Sequence, residues 1–159
     1  MDDRPAVFLH LLATIAYRAR YALRGAPESF GSFRAGNEVW TPAELVRHMT
    51  SVLGYVRSCF EGTERPRIEP LPDLGAEVTR FHAMIEDVAR HVRAGTQPKG
   101  MSEEQMLQGP FADALTHVGQ LAMLRRLSGS PVQGESFIQA RVDPADLGPG
   151  QPGPHPSEE

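Results

Sequence analysis

A chain of 159 residues, 40% of them hydrophobic, is long enough for one domain that buries roughly 70% of the surface its unfolded form exposes. Sixteen basic residues against twenty acidic ones give a net charge of -4, so no general attraction to a phosphate backbone exists and nucleic acid is not an expected partner. The single cysteine, Cys59, excludes an internal disulfide. With no leader pattern at the N-terminus and no apolar run near the roughly 20 residues of a membrane span, the expected setting is the cytoplasm, away from membranes.

From about Pro5 to Leu23, Phe8, Leu11, Leu12, Ile15 and Ala19 recur at helical spacing, and arginines gather toward the far end, where cations suit the helix dipole. The next segment is glycine-containing and aperiodic. It ends at Thr41-Pro42-Ala43-Glu44, which joins an N-cap hydroxyl, a proline in the first turn and a capping-box glutamate. A second helix is therefore predicted from Pro42 to about Phe60. His48 falls within its apolar stripe, among Leu45, Met49, Val52 and Val56, so an imidazole points at the core. After a proline-rich loop, Leu74, Val78, Phe81, Ile85, Val88 and Val92 mark a third helix from Asp73 to about Arg93, the most regular amphipathic pattern in the chain.

Ser102 and Gln105 resemble a short capped turn, and Gly109-Pro110 is expected to start a fourth helix that runs to Ser128 and stops at Gly129. That helix reads as apolar on most sides, with only a narrow polar strip through Ala112, Thr116, Gly119 and Arg126, as for a helix packed between neighbours. A short additional C-terminal helix is expected around Glu135 to Arg141. The proline- and glycine-rich segment 143–159 reads as a disordered tail following a domain that spans 1–142. Four helices with few strand signals predict an all-α four-helix bundle, its long first connection leaving room for a less regular topology.

Asp113 and His117 are four residues apart and hence on one helix face, in a row with Gln120. With His48 from the second helix they supply two imidazoles and one carboxylate, a donor set suited to Zn, Ni, Fe or Mn with positions left open for water or substrate. The competing expectation is purely structural. Asp113 and His117 would form a core pair, or Asp113 would bond Arg34 or Arg18 while His48 bonds a carbonyl. His82, beside Val78 and Ile85, is a group supporting the ligands, a fourth ligand or a half-buried packing residue. His10, His91 and His155 read as solvated. Gln120 orients water or substrate, or bonds across the bundle. Trp40 either staples against Leu45 or covers a pocket mouth, and Arg34 is a candidate contact for an anionic substrate. Cys59 has no adjacent His or Lys to activate it as a nucleophile. Phosphate loops, nucleophile elbows, HExxH and CxxC pairs are absent.

The segments TPAELVRHM and DALTHVGQLAMLRRLSGSPV resemble the DinB/YfiT-like superfamily, and the resemblance covers roughly residues 5–142. It implies a four-helix bundle with a long crossover and a divalent metal. His48 would be the first ligand, and His117, followed by Val118-Gly119-Gln120, the last. Asp113 stands where the commonest family pattern has histidine. A carboxylate there lowers the site's net charge and favours a harder metal, or it marks a weakened site.

The resemblance further implies a metal-dependent thiol transferase or hydrolase that acts on a small molecule, with a low-molecular-weight thiol as a possible cosubstrate and a homodimer as the assembly. The alternative is a non-enzymatic, stress-associated binding or dimerisation bundle without a functional metal.

Overall fold

Apolar periodicity and end caps place the long helices. The computed structural model describes residues 3–150. Helix α1 spans Arg4–Leu23, α2 spans Pro42–Glu61 and α3 spans Leu74–Arg93. At the start of α2 the Thr41 hydroxyl accepts from the Glu44 amide while the Glu44 carboxylate accepts from the Thr41 amide, the reciprocal box that the sequence predicts. Asp73 caps α3 by accepting from the Ala76 amide.

The fourth helix begins earlier than expected. A capping box between Ser102 and Gln105 opens the four-residue helix α4, Glu103–Met106, which passes through a π-turn at Leu107–Phe111 into α5, Ala112–Leu127. Pro110 thus lies inside the π-turn rather than at a helix start, since a wider turn dispenses with the backbone bond that a proline cannot donate.

Helices α1 and α2 each pack against both α3 and α5, so α1 and α2 occupy opposite corners of an all-helical bundle. Among the described residues there is no strand, and no helix is long and apolar enough to cross a membrane. The connection from α1 to α2 contains a short 3-10 turn, Glu28–Ser32, which meets α2 and α3 and buries Phe30. Leu12, Ile15, Met49, Leu53, Phe81, Ile85, Phe111 and Leu121 are fully buried and form the centre of the core.

Two buried charges lock the helices together. Glu77 of α3 accepts from Arg47 Nε of α2 at 2.9 Å and from the Leu71 amide at 2.9 Å, and it also pairs with Arg80. Arg125 of α5 donates to the carbonyls of Ala22 and Arg24 at the end of α1, at 3.0 and 2.8 Å, and to the Ser130 carbonyl at 2.7 Å. Its guanidinium supplies donors to carbonyls that a helix C-terminus leaves without partners. The polar strip of α5 takes in the exposed Arg126 and leaves Arg125 off it, on the buried side of the helix.

After α5 the structure departs from expectation. Residues 135–141 form turns, not the short helix predicted there, and Phe137 is held edge-on by Tyr21 at 4.9 Å with the Arg18 guanidinium over its ring at 3.5 Å. Residues 143–150, read as part of a disordered tail, pack onto α1 and α3. Leu147 is buried, its carbonyl meets His82 Nδ1 at 2.8 Å, and Arg20 Nη1 donates to the Gly148 carbonyl at 2.6 Å. One buried leucine and two buried polar anchors order a segment whose composition alone argued against order. The remainder of the expected tail, 151–159, lies outside the described residues, as does His155.

Burial pushes the His82 imidazole down to about 4, helped by the charge of Arg20 and opposed by the Leu147 carbonyl and Asp146. A histidine that stays neutral when folded but takes up a proton near pH 6.5 when unfolded stabilises the protein fully above that pH. Its contribution, roughly 3 kcal/mol, is lost as pH falls toward 4. Urea unfolding midpoints should therefore drop between pH 7 and pH 4.5, and His82→Asn should show a visibly shallower drop.

Candidate metal centre

The packing of α2 against α5 brings His48 opposite Asp113 and His117. One nitrogen of each imidazole and one carboxylate oxygen all lie within 4.8 Å of one another. His48 Nε2 is 3.6 Å from Asp113 Oδ2, and His117 Nε2 is 3.3 Å from Asp113 Oδ1. The two imidazoles approach different oxygens of the one carboxylate, each near the roughly 3.4 Å that separates donors bound about 2.1 Å from an ion at tetrahedral angles, so the group could hold a metal ion. The two rings meet edge to face, with centroids 4.8 Å apart.

His117 Nδ1 lies 2.7 Å from Gln120 Oε1. Because an amide oxygen only accepts, His117 must carry its proton on Nδ1, and in the neutral ring Nε2 is then a bare lone pair. That lone pair faces Asp113 Oδ1, another lone pair, at 3.3 Å. Two acceptors at this distance repel unless a cation lies between them. A metal or a proton on Nε2 would satisfy both.

His48 closes the cluster from α2. Its proton affinity is lowered first by partial burial and then by the neighbouring His117 ring, against the opposing pull of Asp113. A histidine held below 6.5 is neutral at pH 7, so it is a ready ligand rather than the cation of an ion pair. Its 3.6 Å separation from Asp113 is too long for a hydrogen bond.

The side chains are 32% exposed at His48, 12% at His117 and 44% at Asp113, so the cluster is a half-buried opening rather than a sealed core pair. It lies between two clefts. One, of about 580 Å³, borders His117 and is lined by Val39, Trp40, Leu45, Met123, Leu124 and Leu127. The other, of about 410 Å³, borders Asp113 and includes Tyr55, Arg65, Gln108 and Thr116. The exposed Met123 and Leu127 show that α5 is not covered on all its apolar sides, as the sequence suggested, but opens along the first cleft.

The remaining candidates divide. Trp40 stands 4.6 Å from the His48 ring and 6.1 Å from that of His117, at the mouth of the apolar cleft that Leu45 also lines. Gln120 touches His117 directly. Arg34 instead donates to the Val39 carbonyl at 3.1 Å and pairs with Glu44, which steadies the loop carrying Trp40. Neither Arg34 nor Arg18 partners Asp113, since Arg18 sits on Phe137. His82 is not part of the cluster: it is fully buried and bonded to Leu147. His10 is exposed as expected, but His91 is half-buried and stacked on Phe60 at 5.3 Å. Cys59 is buried.

No protein-family profile, curated protein or solved structure matches the chain. The chemistry of the site therefore rests on its own geometry.

Gln120 fixes the tautomer of His117 from outside the ligand set, and groups of this kind are worth about 10- to 100-fold in metal affinity. Gln120→Leu should weaken metal binding by that factor in competition with a chromophoric chelator, while unfolding midpoints of the metal-free protein stay within about 0.5 kcal/mol of wild type, because Gln120 is exposed.

Proposed function

We propose that this chain is a divalent-metal-dependent enzyme of the DinB-like thiol-transferase or hydrolase type, with His48, Asp113 and His117 as the ligands. The observation that carries this reading is the convergence of one nitrogen of His48, one nitrogen of His117 and a carboxylate oxygen of Asp113 within 4.8 Å of one another, with Gln120 Oε1 occupying the other nitrogen of His117. Zn, Ni, Fe and Mn all suit such a set, and the carboxylate leans it toward Zn, Fe or Mn. When bound, a divalent ion supplies a nucleophile at neutral pH by lowering the pKa of a coordinated thiol or water.

The chain's own residues act as follows. His48 and His117 present neutral nitrogens, and Asp113 supplies the single negative charge of the set. Gln120 keeps the proton of His117 on Nδ1, away from the ligand position. Trp40 covers one face of His48 and limits water on that side. The apolar cleft beside His117 suits the body of a small, largely apolar electrophile, placing its reacting carbon next to the activated nucleophile.

Protein purified without chelators should carry close to one divalent metal per chain by plasma emission spectrometry, and His48→Ala should lose most of it. Asp113→Asn separates this reading from a non-enzymatic bundle whose polar cluster bonds only within itself. The metal reading expects Asp113→Asn to reduce metal affinity at least tenfold; an unchanged metal content, or metal-free wild type, would sink it. The homodimer belongs to the same proposal, and light scattering coupled to size exclusion should return twice the chain mass.

A further inference from the structure

The cleft on the Asp113 side contains a cation that no carboxylate among the described residues neutralises. Arg65 lies in the loop after α2 and is exposed. It donates from Nη2 to Ser51 Oγ at 2.9 Å and stands with its guanidinium carbon 5.7 Å from the centre of the Tyr55 ring. Among the described residues it has no acidic partner. Its neighbours differ: Arg57 pairs with Asp87 and Glu61, Arg47 with Glu77, and Arg34 with Glu44.

The position of Arg65 is built into the fold. Gly54 of α2 faces Pro66, and a Cβ at position 54 would come within 2.9 Å of the proline ring. Only glycine lets the loop lie this close to α2, which seats the adjacent Arg65 against Ser51 and Tyr55. With Nη2 engaged by Ser51, Nε and Nη1 have no hydrogen-bond partner among the described residues, and Arg65 lines the cleft.

Charge favours an anion here. Two neutral imidazoles and one carboxylate leave a divalent ion with a net charge of about plus one, and Arg65 adds a second positive charge along the same cleft. A planar guanidinium with two free donors matches a carboxylate better than a lysine would.

We propose that Arg65, held by Ser51 and Tyr55, anchors the carboxylate of a substrate whose other end reaches the metal centre. The substrate class is then a small organic acid that spans the cleft between Arg65 and Asp113. This assignment rests on the metal reading above and adds to it a residue for which the triad gives no role.

The test uses zinc-loaded full-length protein, wild type and Arg65→Gln, with zinc content measured before titration. Two hydroxamate probes share a metal-binding head and chain length but differ at the far end: succinate monohydroxamate carries a carboxylate where butyrohydroxamate carries a methyl group. By calorimetry the acidic probe should bind wild type about tenfold more tightly than the neutral one, and Arg65→Gln should abolish that preference while leaving the affinity for butyrohydroxamate unchanged. Equal affinities for the two probes on wild type, or a preference that survives in Arg65→Gln, would overturn the anchor and leave the metal centre standing. Protein that retains no zinc would overturn the metal centre and the anchor with it. Retained zinc with no binding of either probe would show a closed coordination sphere and overturn the anchor as a substrate site.

Discussion

Glu77 sits fully buried in the first turn of α3, where a carboxylate without partners would be strongly destabilising, and its oxygens are met by Arg47, Arg80 and the Leu71 amide. Arg47 immediately precedes His48. The ion pair that satisfies Glu77 therefore also fixes the register of α2 against α3, and with it the direction of the histidine that α2 offers to α5. Removing Arg47 would leave the buried Glu77 with only Arg80 and the Leu71 amide, so the helix that carries His48 is tied to α3 by an interaction that is costly to break. On the other side of the bundle Arg125 performs the matching task, tying α5 to the end of α1 through backbone carbonyls.

Between these two clamps, α2 and α5 meet along the seam that gathers His48, Asp113 and His117. Each member of the triad is shaped by something outside it. Gln120 occupies one nitrogen of His117, partial burial and the neighbouring imidazole lower the proton affinity of His48, and Asp113 stays partly open to solvent. The cluster could hold a cation without first having to lose a proton from His48. Apolar surface on one side and an arginine on the other give its two flanks opposite chemical character.

Much of this was legible in the chain itself. Helices α1, α2 and α3 begin and end within a residue or two of where their stripes and caps placed them, because a capping box and a 3.6-residue apolar period are local signals. The triad was legible for the same reason: Asp113 and His117 share a row, and His48 interrupts an apolar one. What escaped was long-range. Glu77, Arg125 and Arg65 carry no local signal of their roles, since those roles depend on partners brought in by the fold. His82, beside an inward-facing stripe, reads as a half-buried packing residue or a neighbour of the site. It answers instead to Leu147, 65 positions away, in a segment whose composition gave no reason to expect order.

The π-turn at Leu107–Phe111 has a geometric meaning for the site. A π-turn accommodates one residue more than an α-helical turn, and one residue corresponds to about 100° of rotation around a helix axis. Every side chain of α5 is therefore rotated by that angle from where an unbroken helix continuing α4 would have put it. Without the extra residue, the face that now presents Asp113 and His117 to α2 would be turned roughly a quarter of the way round the bundle. In terms of descent, an indel of a single residue in this turn is the smallest change that would make or unmake the site, with the hydrophobic content of the chain left almost untouched.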